Sequence, residues 1–197
     1  MKQKREKILL VVGGPGGSGS STISKMLAEH FSVPRIYAGD LYREKAKEED
    51  FESFEEFLQD ISDGGNSLDL EIDNLLMEYA RIGNVLIESK IFGILAKIKN
   101  IPCTATVWLD CDLKTRVERK LLKENITGVK KFWKRFQIRN DLKRRYRIDR
   151  EKYQRLYKIR YDKPSQYYDI VLDTTKLDEI ETFNFILKEL EDGRYLE

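Results

Sequence analysis

The apolar run Ile8-Leu9-Leu10-Val11-Val12 closes on Gly13 and passes directly into Gly14-Pro15-Gly16-Gly17-Ser18-Gly19-Ser20-Ser21. No other stretch restricts the fold of this chain as strongly. A short continuous apolar run bounded by glycine is the pattern of a strand buried on both faces, as in a parallel sheet. The glycines let successive backbone N–H groups curl around an anion, and a helix opening at Ser20 adds its positive end. Ile23, Met26 and Leu27 recur at helical spacing and support that helix. A strand, a glycine-rich turn and a helix are the context of a phosphate-binding loop, G-x-x-x-x-G-K-[ST]. Gly14, Gly19 and Ser21 fit it, and Ser20 stands at the lysine position. Gly14, Gly16, Gly17, Ser18, Gly19, Ser20, Ser21 and Thr22 are the candidate nucleotide contacts, and the Ser21 hydroxyl is a candidate Mg²⁺ ligand. A serine at position 20 brings no charge to the β- and γ-phosphates, so turnover should suffer more than binding.

Further short apolar runs at Pro34–Tyr37, Val85–Ile87, Ala105–Leu109 and Ile170–Leu172 read as strands. Helical patterns lie between them. Asp40 opens one through Lys47. Ser53 to Ile61 carries Phe54, Phe57, Leu58 and Ile61 on one stripe, before a loop at Asp63–Asn66. Leu68 to Ile82 should turn Ile72, Leu75, Leu76 and Tyr79 inward. Ile91 to Lys99 follows, then Leu113 to Lys123 with Asp112 as its cap. A loop at Asn125–Gly128 leads into a basic helical region from Val129 to Tyr161. Thr175 and Asp178 have capping-box spacing for a last helix, Leu177 to Leu190. The alternation predicts an α/β fold, a five-stranded parallel sheet with helices on both faces.

Charged residues make up 36% of the chain, against roughly 25% in soluble domains. The net charge is only +2, which excludes a uniformly basic nucleic-acid binder or an acidic solvating tail. The balance hides an asymmetry. Residues 40–78 hold 14 acidic and 3 basic side chains, and residues 114–163 hold 20 basic and 6 acidic. Such blocks point to a surface built for a charged ligand. Cys103, Cys111 and His30 are too few for a disulfide framework or a zinc site. The basic N-terminus resembles a signal peptide only superficially, and no apolar run approaches the ~18 residues of a membrane span. A soluble, cytoplasmic protein without a membrane partner is expected.

Gly14 to Thr22, followed by Gly39-Asp40-Leu41-Tyr42-Arg43, resembles the nucleoside monophosphate kinases, and among them the short cytidylate kinases of archaea and some bacteria. The resemblance covers Ile8 to the final helix. It implies a P-loop kinase fold with its core at 6–38, 83–124 and 165–197, a helical monophosphate-binding segment at 39–82, and a basic lid at 125–164. It further implies transfer of the ATP γ-phosphoryl group to CMP or dCMP with Mg²⁺. In the lid the family pattern R-x-x-x-D-x-x-R-Y reads Arg145-Tyr146-Arg147-Ile148-Asp149-Arg150-Glu151-Lys152-Tyr153, with lysine for the second arginine. The resemblance makes Arg145 and Lys152 phosphate ligands and Asp149 the acceptor for the cytosine amino group. Tyr168 to Thr175 resembles the family's closing strand. Glu88-Ser89-Lys90 stands where relatives place an acidic residue, glycine and arginine. Glu88 would organise Mg²⁺ through water, and Lys90 would bind the acceptor phosphate. Asp40 and Arg43 would hold the monophosphate, and Arg119, beside Arg116 on the helix before the lid, is a further candidate cation.

Ser20, Lys90 and Lys152 all depart from the family pattern at phosphate-contacting positions, and Tyr37 departs near the base. A weakened transferase follows, or a nucleotide-binding protein of the same fold that has lost phosphoryl transfer. A third reading is a nucleic-acid-binding module at residues 130–160, where Phe132, Trp133, Phe136, Tyr146, Tyr153 and Tyr157 interleave the cations. Aromatics at helical spacing are expected in core or lid packing instead. The expected partner is therefore a nucleoside monophosphate rather than a nucleic acid, and the expected state is a monomer.

Overall fold

A computed structural model describes residues 7–49 and 67–196. The helix expected at Ser53–Ile61 and the loop at Asp63–Asn66 lie outside the described residues. The five strands are β1 (Leu9–Gly13), β2 (Arg35–Tyr37), β3 (Val85–Glu88), β4 (Ala105–Asp110) and β5 (Ile170–Asp173). They form one parallel sheet in the order β2-β3-β1-β4-β5. The helices are α1 (Ser20–His30), α2 (Ala38–Glu48), α3 (Ser67–Ile82), α4 (Phe92–Ile98), α5 (Leu113–Lys123), α6 (Lys130–Tyr157) and α7 (Glu179–Asp192).

Strand residues alternate between two cores. Leu10, Val12, Leu86, Val107 and Leu109 pack on one face against Ile23 and Leu27 of α1 and Ile186 and Leu190 of α7. Leu9, Val11, Val85 and Ile87 pack on the other against Ile72 and Leu76 of α3 and Phe92 and Ala96 of α4. β1 and β3 have no solvated face, which explains their uninterrupted apolar runs. The strands' C-terminal ends lie together on one edge, where ligands of open α/β sheets bind.

Several boundaries differ from the sequence reading. α2 starts at Ala38 rather than Asp40. α6 stops at Tyr157, because Lys158 turns left-handed (φ 57°). Tyr161 thus leaves the helix and packs edge-on to Trp108, ring centres 5.5 Å apart. The capping box of α7 is Asp178 with Glu181, while Thr175 donates to Asp173 and accepts from the Asp112 amide. Asp112 does cap α5, accepting from the Thr115 amide. α3 is rotated from the expected stripe: Leu75 and Tyr79 are half-buried, and Asp69 and Asp73 are buried with Ile72 and Leu76.

Candidate active site

The loop between β1 and α1 is shaped by close approaches. A Cβ on Gly14 would lie 2.4 Å from Ser18 Oγ and 2.5 Å from the Leu109 carbonyl, so only glycine fits. Gly19 caps α1 in the left-handed region (φ 103°), and no side chain caps this helix. The first N–H groups of α1 are therefore left for another acceptor. Ser18 Oγ is buried without a protein partner at the same turn. From α5, Arg116 Nη1 reaches the Gly16 carbonyl at 3.4 Å, and Arg119 Nη1 reaches the Ser18 carbonyl at 2.9 Å. Arg119 Nη2 donates to the carbonyls of Thr174 and Leu177 at 2.7 and 3.0 Å. Arg119 thus fastens the loop to the segment after β5, and its terminal N–H groups are engaged in that bracket.

Glu88 ends β3 beside this loop and is 3% exposed. Its Oε1 accepts from Ser21 Oγ at 2.6 Å and from Ser20 Oγ at 3.4 Å. Its Oε2 accepts from Ser24 Oγ at 2.7 Å and from Arg35 Nε at 2.8 Å, with Arg35 Nη2 also in contact. A buried carboxylate needs such a complement of donors. Ser21 Oγ and Glu88 Oε1 bring hard oxygen donors together at the start of α1. That set suits Mg²⁺, which binds one or two protein oxygens together with phosphates and water.

A second set of contacts runs outward from β3. Lys90 Nζ meets Asp149 Oδ2 of α6 at 2.5 Å. One turn on, Lys152 Nζ meets Asp69 Oδ1 of α3 at 2.8 Å. The Tyr42 hydroxyl also donates to Asp69 Oδ1, and the Tyr157 hydroxyl donates to Asp73. Burial pushes the Asp73 carboxyl up to about 6 against the hydrogen bond from Tyr157. Tyr42 and Tyr157 rise above the ordinary phenol range, from burial first and their carboxylate neighbours second. Arg43 pairs with Asp40 at 2.8 Å and lies over the Tyr37 ring, as does Arg35. Arg145 shares the face of Asp149, near Lys120 of α5, whose ammonium is held down by burial and then by Arg145.

The contacts form a series of three pairings: Ser21 and Arg35 meet Glu88, Lys90 meets Asp149, and Lys152 and Tyr42 meet Asp69. They draw on the glycine-rich loop, the 39–82 segment and the 125–164 region. Lys90 and Asp149 are brought together, Lys152 is drawn to Asp69 beside Tyr42, and Arg43 is placed on Asp40 and the Tyr37 ring. Arg35, Ser24, Asp69, Asp73, Tyr42 and Tyr157 were not anticipated. Only the aspartates carry a signal in the sequence, as two acids four residues apart beside Ile72 and Leu76.

A glycine-rich loop at the carboxyl edge of a five-stranded parallel sheet, with a carboxylate at the next strand's tip, defines a phosphate-loop kinase. The sequence pattern of the AAA domain family matches residues 12–130. The chain belongs, more narrowly, to the nucleoside monophosphate kinase family. It is 33% identical over 172 residues to a cytidylate kinase of Pyrococcus horikoshii, covering 87% of this chain and 82% of that one. To a cytidylate kinase of Methanopyrus kandleri it is 32% identical over 187 residues, 91% of each chain. Among solved structures, a gluconokinase from Sinorhizobium meliloti shares the fold with a TM-score of 0.61 at 14% identity, covering 96% of this chain and 94% of that one. A shikimate kinase from Bacteroides thetaiotaomicron shares it with a TM-score of 0.57 at 14% identity, covering 94% and 98%. Among the described residues no helix is long and apolar enough to cross a membrane.

Proposed function

We propose that this chain transfers the γ-phosphoryl group of ATP to CMP or dCMP, with 39–82 as the monophosphate-binding segment and 125–164 as the lid. The observation that carries the reading is the series of pairings Ser21–Glu88, Lys90–Asp149 and Lys152–Asp69, set from the glycine-rich loop outward. It runs from the triphosphate side of the cleft to the acceptor side. Backbone N–H groups between Gly17 and Ser21 cradle the ATP phosphates; Ser21 would ligate Mg²⁺ and Glu88 would orient it through water, and the ion would supply charge neutralisation at the transferring group. Asp40 and Arg43 face the acceptor phosphate.

Lys90 and Lys152 now rest on carboxylates. On substrate binding they exchange Asp149 and Asp69 for phosphate oxygens. That exchange releases Asp149 to accept from the exocyclic amine of cytosine, which couples base recognition to phosphate recognition. Phosphoryl transfer asks the protein mainly for positioning and electrostatics. Arg145, Lys90 and Lys152 supply charge around the transferring group, and Arg119 acts by holding the loop. Arg35, paired with Glu88, keeps a cation beside the serine that replaces the loop lysine.

Ser20 favours a second reading, a nucleotide-binding protein that no longer transfers phosphoryl groups. ADP release from ATP with CMP, dCMP, UMP and AMP separates the two. The transferase reading expects turnover with CMP and dCMP above UMP and AMP. ATP binding with no acceptor-dependent ADP release establishes the second.

A further inference from the structure

The aromatics of the lid helix divide in a way the sequence does not show. Tyr146, Tyr153 and Tyr157 pack inward around Tyr161 and Trp108. Phe132, Trp133 and Phe136 point outward, 69%, 72% and 63% exposed, and Val129 before them is 85% exposed. These four stand at i, i+3, i+4 and i+7, so they form one stripe. The opposite face of the helix is fixed by Ile138 and Leu142, buried against Val117 and Leu121 of α5. The stripe is therefore held outward by the packing itself. The Phe132 and Trp133 rings meet edge to face, centres 5.8 Å apart.

Cations continue the stripe. Arg139, Lys143 and Arg147 are exposed and four residues apart, a rise of about 6 Å each. α6 as a whole carries twelve Lys and Arg against three acidic residues. Glu118 offsets only Lys131 and Arg135. A second copy of this chain seated on the same face would bring like charges together. A membrane surface would find an apolar face only two turns long, followed by a cationic one. Bases stack on exposed rings while phosphates meet a line of cations, and that combination is what a single strand of nucleic acid requires.

We propose that the outward face of α6, from Val129 to Arg147, binds single-stranded nucleic acid. Bases stack on Phe132, Trp133 and Phe136, and the backbone follows Arg139, Lys143 and Arg147. None of these side chains belongs to the proposed phosphoryl-transfer site, so the surface stands whether or not that reading holds.

The test is fluorescence anisotropy of labelled 20-nucleotide oligo-U, oligo-dT and a duplex, between 50 and 200 mM salt, with the full chain. Single strands should bind more tightly than the duplex and quench the exposed Trp133, whose emission is distinct from that of buried Trp108. Phe132→Ala, Trp133→Ala and Phe136→Ala, made singly with circular dichroism as the folding control, should each weaken binding about fivefold to a hundredfold. Arg139→Gln, Lys143→Gln and Arg147→Gln together should reduce the logarithmic salt slope by about 2. Equal binding of duplex and single strand overturns the proposal, as does unchanged affinity in all three aromatic variants. So does a shift of Trp133 emission with phosphatidylserine vesicles that no oligonucleotide reproduces, which would assign the face to a membrane.

Discussion

Replacing Asp73 with asparagine should stabilise the protein at neutral pH. Asp73 is 5% exposed on α3, and its carboxyl is pushed up to about 6, chiefly by burial. The groups facing it are the Tyr157 hydroxyl and Lys152 from α6, Lys99 after α4, Asp69 on its own helix, and Tyr42 from α2. Tyr157, Lys152 and Lys99 favour the charged form and Asp69 opposes it, yet desolvation prevails. An unfolded Asp73 would titrate at its ordinary value of 3.8. Between these two values the folded chain holds a proton that the unfolded chain has lost. Stability from this group is therefore intact below about pH 4 and falls as pH rises toward 7. A rise from 3.8 to about 6 corresponds to about 3 kcal/mol at 1.36 kcal/mol per pH unit. An asparagine oxygen still accepts from Tyr157, so Asp73→Asn removes the charge and keeps the hydrogen bond. For a chain of this size the gain raises the melting temperature by about 6–12 °C at pH 8, with little difference at pH 4. Thermal melts of both proteins across that range read the result directly. A variant less stable than its parent at pH 8, or a difference that does not change with pH, would show that Asp73 is not destabilised by its buried charge.

Glu88→Gln keeps the size but weakens the anchor for Arg35 and the oxygen set for Mg²⁺. It should lower kcat about 10²-fold or more and cost about 3–5 kcal/mol of stability, measured by ADP release and urea unfolding. Ser20→Lys should raise kcat at least tenfold if the proposed transfer passes this loop, because it adds charge there; an unchanged kcat shows that Ser20 does not limit turnover. Lys152→Arg offers a planar two-pronged contact in place of a point charge, so KM for CMP should fall. Lys152→Ala should raise that KM and leave Asp69 buried with the Tyr42 hydroxyl but without its cation, visible as a lower melting temperature.

The fold was legible because its signals are local. Ile8 to Gly19 carries strand, turn and helix start in twelve consecutive residues. The five strands stand where their apolar runs predict them. The rotation of α3 was hidden, because Asp69 and Asp73 take inward positions that apolar periodicity assigns to Leu75 and Tyr79. Their burial depends on Lys152, Tyr42 and Tyr157, which are distant in sequence. α6 concealed its phase for a related reason. Lys and Arg lie all around it, so nothing local distinguishes packed Tyr153 from exposed Trp133. Arg35 carried no signal at all, since its partner Glu88 is brought alongside only when β2 pairs with β3.

The proposed reaction moves phosphorus from ATP to the monophosphate of a cytosine nucleotide. Phosphorus-31 NMR of the protein with equal ATP and CMP and excess Mg²⁺ follows every phosphate at once. With transfer to CMP, the ATP and CMP signals fall together while ADP and CDP rise in equal amounts, with no inorganic phosphate. Unchanged ATP and CMP spectra under conditions where ATP is bound, or inorganic phosphate in place of CDP, would contradict the proposed transfer.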